Sequence, residues 1–363
     1  MDASALRDWA HTTVSDLITH IDEINRLNVF PVADSDTGTN MLFTMRSALA
    51  EANSESGSGD VAHVAAALSA GALNGARGNS GVILSQILRG IADVTAAAAA
   101  DSELLQIDAA MLGAALRHAV DLVVSSMGGQ EIPGTIVSVL RSAAGALEQC
   151  ADGGEGLATA ITAAADAAAI ALEKTPEQLD VLANAGVVDA GGRGLLVLLD
   201  ALTSTITGQA PARAVYEPSP RRLPAVTAAG HPAPQFEVMY LLGGCDAAGA
   251  DALRDRLSQL GESVAIAASA SDAVDGYSVH VHTDDAGAAV EAGLAFGSPR
   301  RIQISALSSG VAGLPPGSWT RERAVLAVVD GDGAAELFAG EGACVLRPDP
   351  DAGDPTTAVS AHH

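Results

Sequence analysis

Lysine is almost absent from this chain. Among 363 residues there is one, Lys174 in "LEKTPEQ", against many arginines. That removes the glycine-rich loop with Lys that most nucleoside-triphosphate enzymes use to hold phosphates. It also leaves a fold of the protein-kinase type without its phosphate-binding lysine. If the protein handles ATP, metal ions and backbone amides must neutralise the phosphates. Basic charge is scarce altogether: Lys and Arg total 19 against 44 Asp and Glu, for a formal net charge of −25. With aromatics at 3% as well, the basic, stacking surface of a nucleic-acid binder is excluded, and an acidic surface argues against docking on anionic lipid. Cysteine is scarce and odd in number. Cys150, Cys245 and Cys344 lie far apart, which excludes a disulfide framework and fits a reducing, cytoplasmic setting. No run of 18 or more apolar residues offers an uninterrupted membrane span, so no stable membrane insertion is expected. "MDASALRDWAHTTVSDL" has an acid at its second residue and no apolar core, unlike a signal peptide.

What is present is organised in blocks. Over residues 1–207 the apolar period is helical: Leu6, Trp9, Val14, Leu17, Ile18, Ile21 and Ile24 recur at steps of three and four. Further helical segments follow, separated by Gly, Ser, Asn and Asp clusters that stop and start helices. Eight or so helices with short links predict an all-α antiparallel bundle or barrel. Residues 208–234 hold six prolines without a period and read as an extended linker. From 235 to about 315 the period changes to strand–helix–strand–strand–helix–strand, a smaller α+β domain. Residues 323–363 open with one strand–helix–strand unit, too small to bury a core alone.

The stretch "NVFPVADSDTGTNM", Asn28–Met41, carries the densest chemistry. Asp34 and Asp36, at i and i+2, can share a hard cation such as Mg²⁺, whose remaining ligands are water and substrate phosphate. The helix beginning near Gly38 adds free amides and a positive dipole end, while Thr37 and Thr39 add hydroxyls and Asn40 a carboxamide. The same residues also suit a plain helix start, with Asp36 or Thr37 as cap and Asp34 in an Asx-turn. Three other stretches tilt the balance toward a phosphate site. "NGARGNSGVILSQ" offers Gly75, Gly78, Ser80 and Gly81 ahead of a helix, an amide-rich anion cradle. "PGTIVSV" puts Gly134 and Thr135 at a helix start, and "GVVDAGGRG" puts Asp189 and a Gly-Gly pair at another. At the ends of antiparallel helices these four loops can converge on one rim.

The order "LNVFPVADSDTGTNM … GARGNSGVILSQILRG … GTIVSV … GVVDAGGRGLL" resembles the nucleotide-binding L domain of dihydroxyacetone kinases, and more closely the N-terminal domain of bacterial fatty acid kinases. "FEVMYLL … YSVHVHTDDAGAAVEAGLAFG" resembles the middle domain of the latter, so the likeness runs over about 310 residues. It implies an eight-helix barrel that binds ATP and Mg²⁺ at one rim, with Asp34 and Asp36 as the indispensable metal-ligand pair and Asn28 as an additional oxygen ligand. Thr37, Thr39 and Asn40 complete that motif. Gly78, Asn79, Ser80 and Gly81 form the phosphate loop, and Thr135, Asp189, Gly191 and Gly192 line the rest of the pocket. Two departures stand out. Ser35 occupies the place where the family usually has Gly, and Pro133 the place of a usual Glu, for which Glu131 is a nearby substitute.

The reaction implied is transfer of the ATP γ-phosphoryl group to a fatty-acid carboxylate delivered by a separate carrier protein of the DegV type, giving an acyl phosphate for phospholipid synthesis. The competing readings are one component of a dihydroxyacetone-type (glycerone) kinase, against which the attached middle domain stands, and a non-catalytic ATP-binding scaffold. The strand–helix–strand unit at 323–363 is read as the remnant of a third domain, with a homodimer expected. In the middle domain, His280 and His282 in "VHVHT" share one strand face by the period of two. They can share one Zn²⁺, or simply face solvent or a helix. Relatives offer a Cys on the first strand of this domain, and the matching position here is Glu237, whose carboxylate can also ligate zinc.

Overall fold

The computed structural model describes residues 1–54, 60–100, 103–216, 234–269 and 276–307, together with the backbone of Leu326–Val328 and Cys344–Leu346. The helical period of the first two hundred residues becomes eight long helices: α1 (Ala3–Leu27), α2 (Thr37–Ser54), α3 (Val61–Asn74), α4 (Gly78–Ala98), α5 (Ala109–Ser126), α6 (Ile136–Asp152), α7 (Leu157–Glu173) and α10 (Ala190–Thr207). Two short helices, α8 (Thr175–Gln178) and α9 (Asp180–Ala185), bridge α7 to α10. Each long helix packs on the next, and α10 returns to α1, so the antiparallel ring closes into a barrel. The closure is pinned from inside. The Trp9 indole donates to the Leu198 carbonyl at 3.0 Å, and Arg193 Nε donates to the buried Glu23 carboxylate at 2.9 Å.

Alanine and glycine set how near the helices come. A Cβ on Gly71 of α3 would lie 2.5 Å from the Ser47 carbonyl oxygen and 2.9 Å from Ala48 Cα of α2. By length and mean hydropathy α4 and α5 would suffice to cross a membrane. In the fold they are barrel staves, with Leu84, Ile87, Leu88, Leu112, Ala119 and Val123 in the core and Arg89, Asp93, Arg117 and His118 in ion pairs.

The proline-rich segment forms neither helix nor strand in its described residues up to Tyr216. Its first part runs back along the barrel, where Arg213 pairs with Asp200 and Asp166, and the Tyr216 amide donates to Glu23. Residues 217–233 lie outside the described residues. Beyond them, β1 (Phe236–Gly243), α11 (Ala247–Leu260), β2 (Gly261–Ala268), β3 (Tyr277–Thr283), α12 (Ala286–Leu294) and β4 (Ser298–Ala306) form an antiparallel sheet in the order β2-β3-β1-β4 with two helices. The period of two divides its faces. Val238, Tyr240, Leu242, Val279 and Val281 pack on α11 and α12. Met239, Ala265 and Ala267 pack instead on Leu73 and Val82 of the barrel. Arginines tie the two pieces together through carbonyl groups: Arg89 donates to Ala268 at 3.0 Å and Arg254 to Ser126 at 2.8 Å. Residues 1–309 therefore form one compact unit, in which the barrel and the sheet domain are separate in sequence but docked in space.

Residues 310–363 form a second unit, in which β5 (Leu326–Val328) and β6 (Cys344–Leu346) pair in parallel. Parallel neighbours need a crossover. The helix that the sequence places between them lies outside the described residues.

The close α2–α3 approach yields a test. Gly71→Ala gains about 1 kcal/mol of helix propensity but drives a methyl group into backbone, and overpacking of that kind costs about 1–3 kcal/mol. The expected result is a net loss of stability in urea unfolding at constant slope. A stabilised variant would show that the two helices separate at no cost.

Candidate functional site

The helix ends that the loops were expected to gather do meet at one rim. The segment after α1 crosses it and turns at Ser35, whose φ of 57° lies in the left-handed region. A side chain with a Cβ pays about 1–2 kcal/mol there, which is the physical reason glycine suits this place. The turn brings the carboxyl groups of Asp34 and Asp36 into a shared hydrogen bond. Burial raises both above the ordinary carboxylate range, and the adjacent Asp34 charge helps push Asp36 to about 7. The pair therefore holds a proton that a cation would displace.

The sheet supplies the opposite wall. Pairing of Glu237 with His282 and of Met239 with His280 puts both imidazoles on the barrel-facing side of β3. Burial alone would raise Glu237, but the His280 imidazole beside it holds the carboxylate below its usual value. The negative charge of Glu237 reaches both Asp34 and Asp36. The two expected sites, aspartates in the barrel and histidines in the sheet domain, are thus one cluster. A small cavity of about 30 Å³ is bounded by Asn28, Asp34, Asp36, Thr37, Asn40, Gly78, Asn79 and Ser80 on one side and by Glu237 and His282 on the other. Gly78 is the point of closest approach. A Cβ there would lie 2.1 Å from Asn40 Nδ2 and 3.5 Å from Glu237 Oε1, so only glycine lets α4 begin between them.

The donor set of Glu237, His280 and His282 fits a metal ion. Their ligand atoms lie within 4.8 Å of one another. His280 Nδ1 is 2.9 Å from the Ser263 carbonyl, which can only accept, so Nδ1 carries hydrogen. Its Nε2 then faces a carboxylate oxygen at 3.1 Å, a contact that calls for a proton or a metal ion between them. His282 Nδ1 is buried without a hydrogen-bond partner. Burial and the neighbouring His280 lower its pKa to about 4, so it is a neutral imidazole at physiological pH, the form that ligates metal.

A second cavity of about 260 Å³ shares Phe30, Pro31, Thr37, Asn79 and Ser80 with the first and extends over Ile83, Met127, Ile132, Thr135, Ile136, Val137, Asp189 and Gly191, with Ser263 from the sheet. Asp189 caps α10 by accepting from the Gly192 amide at 2.7 Å, and its burial raises its pKa to about 6. The apolar walls and Ser263 carried no signal in the sequence, because they read as ordinary core and as a serine in a strand.

Several expected residues play other parts. Gly38 and Thr39 give their amides to Asn25 Oδ1 at 2.8 and 3.2 Å, so those α2 amides are capped by the protein itself. The Thr39 hydroxyl accepts from Asn25 Nδ2, which turns it toward α1 and away from the cavities. Asn28 donates its NH₂ to Asp34 and lines the small cavity beside that carboxylate. Gly81 packs on the Thr44 hydroxyl and Gly192 on Val139 and Leu172; neither lines either of these two cavities. Glu131 is paired with Arg141 on the surface and does not replace an acid in the site.

Two family models match this chain: the DAK2 domain over residues 31–204 and the FakA-like middle domain of fatty acid kinases over residues 233–313. Protein YloV of Bacillus subtilis (strain 168) is 30% identical over 373 residues, covering 95% of this chain and 64% of that protein. An uncharacterised protein of Staphylococcus haemolyticus is 29% identical over 349 residues, covering 90% of this chain and 61% of its own length. The chain thus spans less than two thirds of these relatives. Among solved structures, the dihydroxyacetone kinase of C. freundii, in native form and in complex with AMP-PNP and Mg²⁺, aligns with a TM-score of 0.42 at 17% and 18% identity, over 56% of this chain and 34% of that one.

The raised aspartate has a measurable cost. Asp36 releases its proton at about 7 when folded and near 4 when unfolded. The folded chain therefore binds more protons across that window, and stability falls as pH rises through it. Asp36→Asn should be more stable than the wild type at pH 8, with a flatter pH dependence between pH 5 and 7 in urea unfolding. A variant less stable at pH 8 would mean that the ionised carboxylate contributes favourably there.

Proposed function

Because the chain belongs to the proteins that join a DAK2 domain to a FakA-like middle domain, we propose that it is an ATP-dependent phosphotransferase whose acceptor is a fatty-acid carboxylate held by a carrier protein of the DegV type. The observation that carries this reading is the confluence of the paired aspartates with Asn79 and Ser80 in a polar cavity that opens into a larger apolar one. Asp34 and Asp36 would hold Mg²⁺, which neutralises phosphate charge where no lysine lines either cavity. Asn79 and Ser80, at the first turn of α4, would face the phosphates. The cavity walled by Ile83, Met127, Ile136 and Val137 suits the flat, apolar faces of the base. A carboxylate is already an anion at neutral pH, so the acceptor needs no strong general base; positioning and electrostatics are what the protein must supply. Glu237, His280 and His282 would hold Zn²⁺ on the sheet side, at the edge of the same cavity.

Calorimetry of the full chain with AMP-PNP and Mg²⁺ tests the nucleotide site. Asp34→Ala or Asp36→Ala should remove Mg²⁺-dependent binding, whereas Ser80→Ala, which deletes one hydroxyl, should cost about 1 kcal/mol. Binding that survives both aspartate changes would sink the assignment. Acyl-phosphate formation from an oleate-loaded carrier then separates a carboxylate kinase from a dihydroxyacetone-type kinase and from a binding scaffold.

Metal analysis tests the sheet side. Protein lacking His362 and His363 should retain about one zinc per chain by the three-ligand arrangement, and His280→Ala or His282→Ala should lose it. Zinc content near zero in the trimmed wild type would leave Glu237 and His280 as a simple ion pair.

A further inference from the structure

At the far end of the same sheet, a third cavity of about 250 Å³ shares no residue with the two described above. Its walls are Leu73, Leu241, Leu242 and Tyr277, and its charged groups are Arg300 and Arg301 of β4. Consecutive strand residues normally point to opposite faces. Here both line one cavity, and the backbone shows why. Met239 pairs with Gln303 but Leu241 pairs with Arg300, so Tyr240 is opposed by two residues, and the first of them, Arg301, has φ 51°. A bulge with its first residue in the left-handed region is ordinarily a place for glycine. This chain puts an arginine there, and a bulge re-aims side chains.

Among the described residues the two guanidinium groups have no acid partner. Arg301 donates to the Asn74 carbonyl at 3.2 Å. Neither forms an ion pair among the described residues, and none of the described residues that line the cavity is acidic. In a chain with 44 acids and 19 bases, five other described arginines, Arg89, Arg117, Arg141, Arg193 and Arg213, are paired with carboxylates. Two unspent forks beside leucine and tyrosine walls make a site with one anionic end and one apolar side.

We propose that the Arg300–Arg301 cavity binds an amphiphilic oxyanion, a carboxylate or phosphate carried on a short apolar chain. The head group sits between the two guanidinium groups and the chain lies along Leu73, Leu241 and Tyr277. Arg300 and Ser305, the partner of Glu237, lie five positions apart on β4. At the rise of a strand that is about 16 Å, so the site is distinct from the carboxylate–imidazole cluster and does not depend on the phosphoryl-transfer reading.

The test is calorimetric titration of the full chain with sodium octanoate below its micellar range, with octyl phosphate and inorganic phosphate as parallel arms. One saturable octanoate or octyl phosphate site per chain is expected, and the tighter of the two identifies the preferred head. Arg301→Gly combined with Arg300→Gln should weaken binding at least tenfold. Glycine accepts the left-handed backbone without strain, so this variant should melt no lower than the wild type. Arg256→Gln, on the exposed face of α11, removes the same charge elsewhere and should bind octanoate as the wild type does. Octanoate binding unchanged in the double variant, or no saturable binding at all, would overturn the proposal. Inorganic phosphate binding as tightly as the octyl ligands would overturn the apolar half of it.

Discussion

Asp34, Asp36 and Glu237 are three acids brought together where water is scarce, and much of the molecule answers to their mutual repulsion. At an effective dielectric of about 20, two charges some 4 Å apart repel by about 4 kcal/mol. A lysine would be the simplest relief, and none lines either cavity. It uses a shared proton between the aspartates, an imidazole against Glu237, and carboxamides from Asn28 and Asn40. Each is a partial neutralisation that leaves capacity for cations. The absence of lysine and the raised Asp36 are therefore two sides of one arrangement.

That arrangement exists only because the sheet domain is docked on the barrel. One face of the sheet is greasy in the ordinary way and closes on its own helices. The other mixes Met239, Ala265 and Ala267 with Glu237, His280 and His282, so the same face that buries apolar area also delivers charge. The docking contacts are chosen to suit. Arg89 and Arg254 reach across to carbonyl oxygens, which fixes position without bringing further carboxylates to the seam.

Much of this was legible in the sequence, for reasons that can be named. The barrel was readable because its helices are long, strongly periodic and punctuated by glycine and aspartate, and Asp60, Asp108 and Asp189 do cap α3, α5 and α10. Asp34 and Asp36 equally suit a plain helix start, and it was the other glycine-bearing helix starts, at Gly78, Gly134 and Asp189, that singled them out. What was not readable is long-range. Nothing local says that His282 would line one cavity with Asp36, since that depends on which sheet face meets the rim. Asn25 sits inside a helical stretch and gives no hint that its side chain would cap the next helix. Thr39 and Gly81 belong to the motif by position, yet packing turns them away from the cavities. The strain at Arg301 was hidden too, because a bulge is a property of two strands and not of one.

The alanine-rich seams of the barrel have a thermodynamic consequence of their own. Ala48, Ala65, Ala72, Ala115, Ala119, Ala143, Ala144, Ala164, Ala165 and Ala168 are core residues, and each removes less apolar surface from water than a leucine in its place would. Heat-capacity change on unfolding scales with the apolar surface exposed. A barrel built from such staves has a smaller heat-capacity increment per residue than one built on leucine, and its curve of free energy against temperature is correspondingly shallow. Its stability then depends less on the strengthening of the hydrophobic effect with warming and more on the dense contacts that small side chains permit.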